Sequence, residues 1–197
     1  MTNQVPARVT KQQWRSGLLA ARRAVPAAVR AVEAVALAAH ARELGVAGTV
    51  VCAYVPVGAE PGSLELLEML RASGARVLLP VAREPAALHW AEFAGAAELA
   101  DAPHGLREPS GPVLDPATVA QAELVLLPAL AVDRAGVRLG RGAGFYDRTL
   151  LLAAPGARLV AVVRDDEVVA ALPTDPHDVA VGWALTPIRG LVRLGGR

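Results

Sequence analysis

The chain contains one cysteine, one lysine and one isoleucine, and its aromatic residues amount to only 4%. A single cysteine excludes an internal disulfide. Cys52 lies in the apolar run "TVVCAYV", where a small buried hydrophobe is expected. The net charge is +1, from 20 basic and 19 acidic residues, so the basic footprint of a nucleic-acid or anionic-membrane binder is missing. No uninterrupted apolar run approaches the roughly 18 to 20 residues of a membrane span. The opening "MTNQVPARVTKQQW" lacks the apolar centre of a signal peptide, which makes a cytoplasmic enzyme the expectation. His40, His89, His104, His177 and Cys52 show no zinc-ligand spacing, which argues against a transition metal. Absence of Gly-x-Ser-x-Gly weakens a hydrolase reading.

The shortage of lysine is informative in itself. Of the 20 basic residues, 19 are arginine, and alanine, valine, glycine and proline are abundant. That pattern suggests a coding bias which exchanges Lys for Arg wherever the exchange is tolerated. A planar guanidinium does not replace a compact ammonium, so the surviving Lys11 becomes a functional candidate.

What is present is enough for a sizeable core: hydrophobic residues make up 53% of 197. Thr10 reads as the N-cap of a helix to about Ala24, with Lys11, Arg15 and Leu18 on one face. Pro26 opens a second helix that ends near Gly45, and Leu64, Leu67 and Leu70 mark the buried face of a third. Strands are expected over residues 49–55, 75–81, 87–93, 123–130 and 158–164, and a further helix from Phe145 to Ala153. Residues 94–117 read as loop, and 165–190 as turns and short extended pieces. Alternating strands and helices predict an α/β fold: one domain over 1–197, its mostly parallel sheet covered by helices on both faces.

One stretch stands out. In "RLGRGAGFYDR", Gly140, Gly142 and Gly144 alternate among Arg138, Arg141 and Arg148. Glycines let backbone N–H groups approach an anion, and a helix N-terminus follows. The combination suits a polyphosphate. A dinucleotide fingerprint would need glycine at position 145, where Phe145 stands, and a P-loop would need a Gly-Lys-Ser/Thr ending. Lys11 would be a workable substitute if the fold carried it over this loop. Asp133 and Asp147 lie near the loop, with Asp175 and Asp178 further on, and magnesium takes only one or two protein carboxylates.

The segment "LLPALAVDRAGVRLGRGAGFYDRTL" resembles the signature of the 5-formyltetrahydrofolate cyclo-ligase family. "KQQWR", "YVPVGAEPGS", "HGLREP" and "LPTDPHDVAVGWALTP" are similar to its other pieces, in order, from Lys11 to Pro187. The resemblance implies ATP- and Mg²⁺-dependent conversion of 5-formyltetrahydrofolate, or its polyglutamates, to 5,10-methenyltetrahydrofolate. By position it assigns ATP to Lys11, Arg15 and the loop Arg138, Leu139, Gly140, Arg141, Gly142, Ala143, Gly144, Phe145 and Tyr146. It assigns the folate to Val55, Glu60 and the loop from Arg141 to Phe145, and the metal to Asp147 and Asp178. Lys11, Arg141 and Tyr146 are the catalytic candidates, and a monomer is expected. Phe145 departs from the family's usual tyrosine, and Ser63 stands where Thr is usual. The alternatives are a non-catalytic folate- or nucleotide-binding relative and, more remotely, a dinucleotide oxidoreductase using Gly140 and Gly142.

Overall fold

The structure is a computed structural model that describes residues 9–83, 87–176 and 178–195. Residues 1–8 and His177, which entered the signal-peptide and zinc expectations, lie outside the described residues.

Helix α1 (Lys11–Ala24) starts at a capping box: Gln13 N donates to Thr10 Oγ1 at 3.2 Å and Thr10 N to Gln13 Oε1 at 2.8 Å. Helix α2 (Ala27–Ala41) follows Pro26, and β1 (Val50–Cys52) leads into α3 (Leu64–Ala72), which Ser63 caps. The next elements are β2 (Arg76–Val81), β3 (His89–Glu92), β4 (Leu99–Ala102), β5 (Leu106–Pro109) and β6 (Leu124–Pro128). Strands β7 (Ala131–Asp133) and β8 (Arg138–Leu139) precede the short helix α4 (Phe145–Leu150). Strands β9 (Arg158–Val162), β10 (Val168–Val169), β11 (Trp183–Thr186) and β12 (Gly190–Arg193) complete the chain.

Seven strands form the main sheet in the order β12-β11-β9-β6-β1-β2-β3. The inner five are parallel, and β12 and β3 close the two edges antiparallel. Alternate residues of the inner strands enter two separate cores. Val51, Val77, Leu124 and Leu126 pack under α2 and α3, through Leu37, Leu67 and Leu70. Cys52, Leu78, Val125 and Leu127 face the other way, toward Leu150 of α4 and Val119 of the 3-10 turn at 116–121. Burial on both faces explains why these strands read as continuous apolar runs. It also pushes the Cys52 thiol up to about 12, which keeps it protonated and inert.

The direction of winding positions the site. From β1 the chain builds outward to β2 and β3, then crosses back, so that β6, β9 and β11 extend the sheet the other way. Such a reversal leaves a crevice outside the carboxyl ends of the two strands that flank it, here β1 and β6. Beyond β6, a small sheet in the order β10-β7-β8 carries α1, whose Trp14, Leu18 and Leu19 pack on Leu130, Ala131, Leu139 and Leu172.

Several boundaries differ from the sequence expectations. Residues 94–117 contain the β4–β5 hairpin, whereas 165–190 hold turns and the short strands β10 and β11, as expected. Strands of two to four residues, interrupted by Pro and Gly, are too short to show a period. Strand β1 stops at Cys52 and α4 at Leu150, short of the expected Val55 and Ala153.

The turn between β7 and β8 is tightly determined. Asp133 Oδ1 accepts from Ala135 N and Val137 N at 2.9 Å each, and Oδ2 accepts from Leu172 N at 3.0 Å. Gly136 adopts φ +89°, and a Cβ there would fall on the Val181 carbonyl oxygen. Gly136→Ala is therefore expected to destabilise the fold by about 3 kcal/mol. An unchanged thermal midpoint would refute this account of the turn.

Candidate active site

The crevice at the β1–β6 reversal encloses a cavity of about 280 Å³. Tyr54, Val55 and Glu60, on the segment after β1, line one part, and Pro128 to Leu130, after β6, another. Ala82 and Glu108 add a third wall, where Glu108 Oε1 accepts from Ala82 N at 2.9 Å. The glycine loop from Gly140 to Gly144 and the start of α4 complete the enclosure.

Two glycines of this loop are required by geometry. Gly142 adopts φ +106°, and Gly144 caps α4 at φ +73°. The Arg138 side chain is only 6% exposed. It donates from Nη2 to Asp147 Oδ1 at 2.6 Å and from Nη1 to the Pro128 carbonyl at 3.3 Å, and lies 5.7 Å from the centre of the Tyr146 ring. The Tyr146 hydroxyl is buried without a hydrogen-bond partner. Burial, together with the charge of Glu60, raises its pKa far above that of an ordinary phenol. It is thus a neutral O–H with no acceptor among the described residues, which is what a ligand-facing donor looks like before its ligand arrives. Phe145 also lines the crevice, with the Arg148 guanidinium 5.3 Å from its ring centre.

Glu60 faces the loop from the β1 side, with its carboxylate 10% exposed. Oε2 accepts from Val57 N at 2.9 Å, and Oε1 is 3.0 Å from Arg141 Nε. Tyr54, whose hydroxyl donates to the Pro61 carbonyl at 2.6 Å, fixes the same segment from beneath.

Helix α1 comes down on the loop from the other side. Arg15 Nε donates to the Gly140 carbonyl at 2.9 Å. One turn earlier, Lys11 Nζ donates to Asp178 Oδ2 at 2.6 Å and to Asp175 Oδ2 at 2.7 Å. Partial burial alone would lower the Lys11 pKa, but hydrogen bonds and charge from the two aspartates outweigh it and raise the pKa. The lysine is therefore charged, and it lies one helical turn before Arg15, the residue of α1 that reaches the loop.

The sequence candidates thus fall into two connected groups. Val55, Glu60, Arg138, Gly140, Arg141, Gly142, Ala143, Gly144, Phe145, Tyr146 and Asp147 line the crevice. Lys11, Arg15 and Asp178 sit beside it, joined to it by the Arg15–Gly140 bond. Leu139 belongs to neither group: it is buried in the small sheet, and its carbonyl accepts from Leu130 N at 2.7 Å. Asp133 is spent on backbone N–H groups. Asp147 and Asp178 each hold a different cation, and no cluster of three or more metal-ligating side chains occurs among the described residues. Sequence reading missed Arg22, Arg107 and Glu108, all of which line the cavity. Arg107 and Glu108 had a signal in the "HGLREP" piece quoted for the resemblance, and Arg22 as the next residue on the face of Lys11, Arg15 and Leu18.

Residues 7–187 match the sequence pattern of the 5-formyltetrahydrofolate cyclo-ligase family. A 5-formyltetrahydrofolate cyclo-ligase from Mycolicibacterium smegmatis is 54% identical over 190 residues, covering 94% of this chain and 97% of that protein. One from Escherichia coli is 30% identical over 140 residues, 70% of this chain and 77% of the relative. The NMR structure of 5,10-methenyltetrahydrofolate synthetase from Aquifex aeolicus superimposes with a TM-score of 0.77 at 25% identity, covering 95% of this chain and 94% of its own. A synthetase of the same name from Mycoplasma pneumoniae shares the fold, with a TM-score of 0.70 at 16% identity over 88% and 96% of the two chains.

Proposed function

Since the chain belongs to the 5-formyltetrahydrofolate cyclo-ligase family, we propose that it converts 5-formyltetrahydrofolate and ATP to 5,10-methenyltetrahydrofolate, ADP and phosphate in the crevice at the β1–β6 reversal. The observation that carries this reading is the convergence there of the glycine loop, the buried carboxylate of Glu60 and the helix bearing the chain's one lysine. The formyl oxygen is a poor leaving group. Its attack on the γ-phosphorus releases ADP and makes it a phosphate ester of an imidate. N10 then bonds to that carbon and gives up its proton, and phosphate departs with the oxygen. Such chemistry asks a protein for alignment and charge compensation and needs no Ser or Cys nucleophile.

In this reading Lys11, Arg15 and the loop from Arg138 to Tyr146 hold the phosphates, and Arg141 stands where the two substrates meet. Leu139 serves only through the backbone position of the strand it anchors. Val55 and Glu60 receive the folate, with Glu60 accepting from pterin N–H groups, and Phe145 offers an aromatic face. The Tyr146 O–H donates to an oxygen of the bound substrates. Asp147 and Asp178 fit Mg²⁺ as hard oxygen donors: each is held from one side by a cation, and two protein carboxylates suffice when phosphates and water complete the shell. The metal supplies charge neutralisation on the phosphate oxygens. A monomer and a single domain complete this reading. No single helix among the described residues is long and apolar enough to cross a membrane, and a cytoplasmic location is part of the proposal.

Purified protein given 5-formyltetrahydrofolate, ATP and Mg²⁺ is expected to produce the methenyl absorbance, and excess EDTA to abolish it. No ATP-dependent product at high enzyme concentration would overturn the proposal. Binding of both substrates without turnover would mark a non-catalytic relative instead.

A further inference from the structure

Residues 11, 15, 18 and 22 of α1 share one face, and Arg22 is the deepest of them at 3% exposure. Its Nε donates to Glu167 Oε1 at 2.6 Å, and its Nη2 to Glu167 Oε2 at 2.7 Å and to the Ala129 carbonyl at 2.6 Å. Glu167 lies on the turn after β9, and Ala129 directly follows β6 in the crevice wall. One guanidinium therefore ties α1 to the ends of two central strands. The connection continues outward: Glu167 Oε2 also accepts from Arg164 N at 2.8 Å, and Arg164 pairs with Glu33 of α2 at 2.7 Å.

Stability alone does not account for this arrangement. Removing two charges from water is costly, and well-packed apolar residues of equal volume serve a core as well or better. A forked ion pair provides something apolar contacts do not, a fixed rotation and height for the helix that bears it. Leu18 and Leu19 can slide on the small sheet, whereas a two-point fork cannot. The groups that depend on that setting are Arg15 and Lys11, two and three turns away.

We propose that the buried Arg22–Glu167 pair is a positioning device for nucleotide binding, setting α1 so that Lys11 and Arg15 meet the ATP phosphates. Arg22 also borders the crevice, but the role assigned to the pair is to set the helix that bears Lys11 and Arg15. This inference rests on the reading of α1 as the nucleotide-holding helix.

The informative variant is the double substitution Arg22→Met with Glu167→Gln. It leaves no lone buried charge, and glutamine still accepts from Arg164 N. A single Glu167→Gln would strand a buried guanidinium and unfold the protein for unrelated reasons. Arg22→Lys, which keeps the charge and loses the fork, is the second probe. Unfolding midpoints and separate KM values for ATP and 5-formyltetrahydrofolate are then measured. The double variant is expected to unfold within a few degrees of wild type, with an ATP KM raised about tenfold and a folate KM changed by less than about twofold. Arg22→Lys is expected to fall between. An unchanged ATP KM in either folded variant, or equal rises in both KM values, would overturn the inference. Absence of saturable ATP dependence in the wild type would overturn the functional reading itself, and this inference with it.

Discussion

Lys11→Arg is expected to lower the ATP-dependent rate by about 100-fold while leaving the unfolding midpoint near that of wild type. The expectation comes from the size of the space the ammonium occupies. Lys11 Nζ sits 2.6 Å from one carboxylate and 2.7 Å from another, with the side chain 19% exposed. A guanidinium is planar and broader, and its charge is spread over three nitrogens. It can fork onto one of these aspartates, but it cannot place a point charge between both. Displacing a phosphate-aligning cation by an ångström is enough to account for losses of that order. Lys11 lies in the first turn of a helix that Thr10 caps independently, so the fold does not depend on it. Turnover near the wild-type rate would mean that the lysine is an accident of composition.

Glu60→Gln is expected to raise the KM for 5-formyltetrahydrofolate between about 10- and 100-fold, with a smaller change for ATP. Glutamine has the same shape and still accepts from Val57 N, so the segment after β1 keeps its course. What is lost is the negative charge toward Arg141 and toward the N–H donors of a pterin. Hydrogen bonds to a charged acceptor are the stronger kind, and a buried donor facing a neutral amide loses part of that gain. A folate KM that does not move would remove Glu60 from the substrate site. An equal rise for both substrates would place it at the nucleotide instead.

The features legible in the sequence were those with a local cause. Thr10 announced the start of α1 as its N-cap, and in the structure it forms a capping box with Gln13. The apolar runs of β2, β6 and β9 announced buried strands because both of their faces are covered. The glycine loop announced unusual backbone freedom, and Gly142 and Gly144 use it at φ +106° and +73°. Features made by distant partners were not legible. Asp133 and Asp147 looked alike as acids near the loop, yet one serves three backbone N–H groups and the other an arginine. Arg22 stood among 19 arginines, and its partner Glu167 lies 145 residues away. The strands β4, β5, β11 and β12 are four residues each, and sheet position rather than sequence period specifies them. The closing Thr-Pro of the signature has a structural role: Thr186 is buried and donates to Asp165 at 2.8 Å.

The bond between Lys11 and Asp178 joins residues 167 positions apart in the chain. During synthesis α1 leaves the ribosome early, with its lysine and arginines already in place but with no aspartates to meet. Strands β6 and β9 must pair, and residue 178 must emerge, before the lysine finds its partners. Long-range closure of this kind is the slowest step in assembling an α/β sheet. On the proposed reading, the Lys11 end of the crevice forms only once residue 178 has emerged, so a growing chain cannot hold ATP there any earlier.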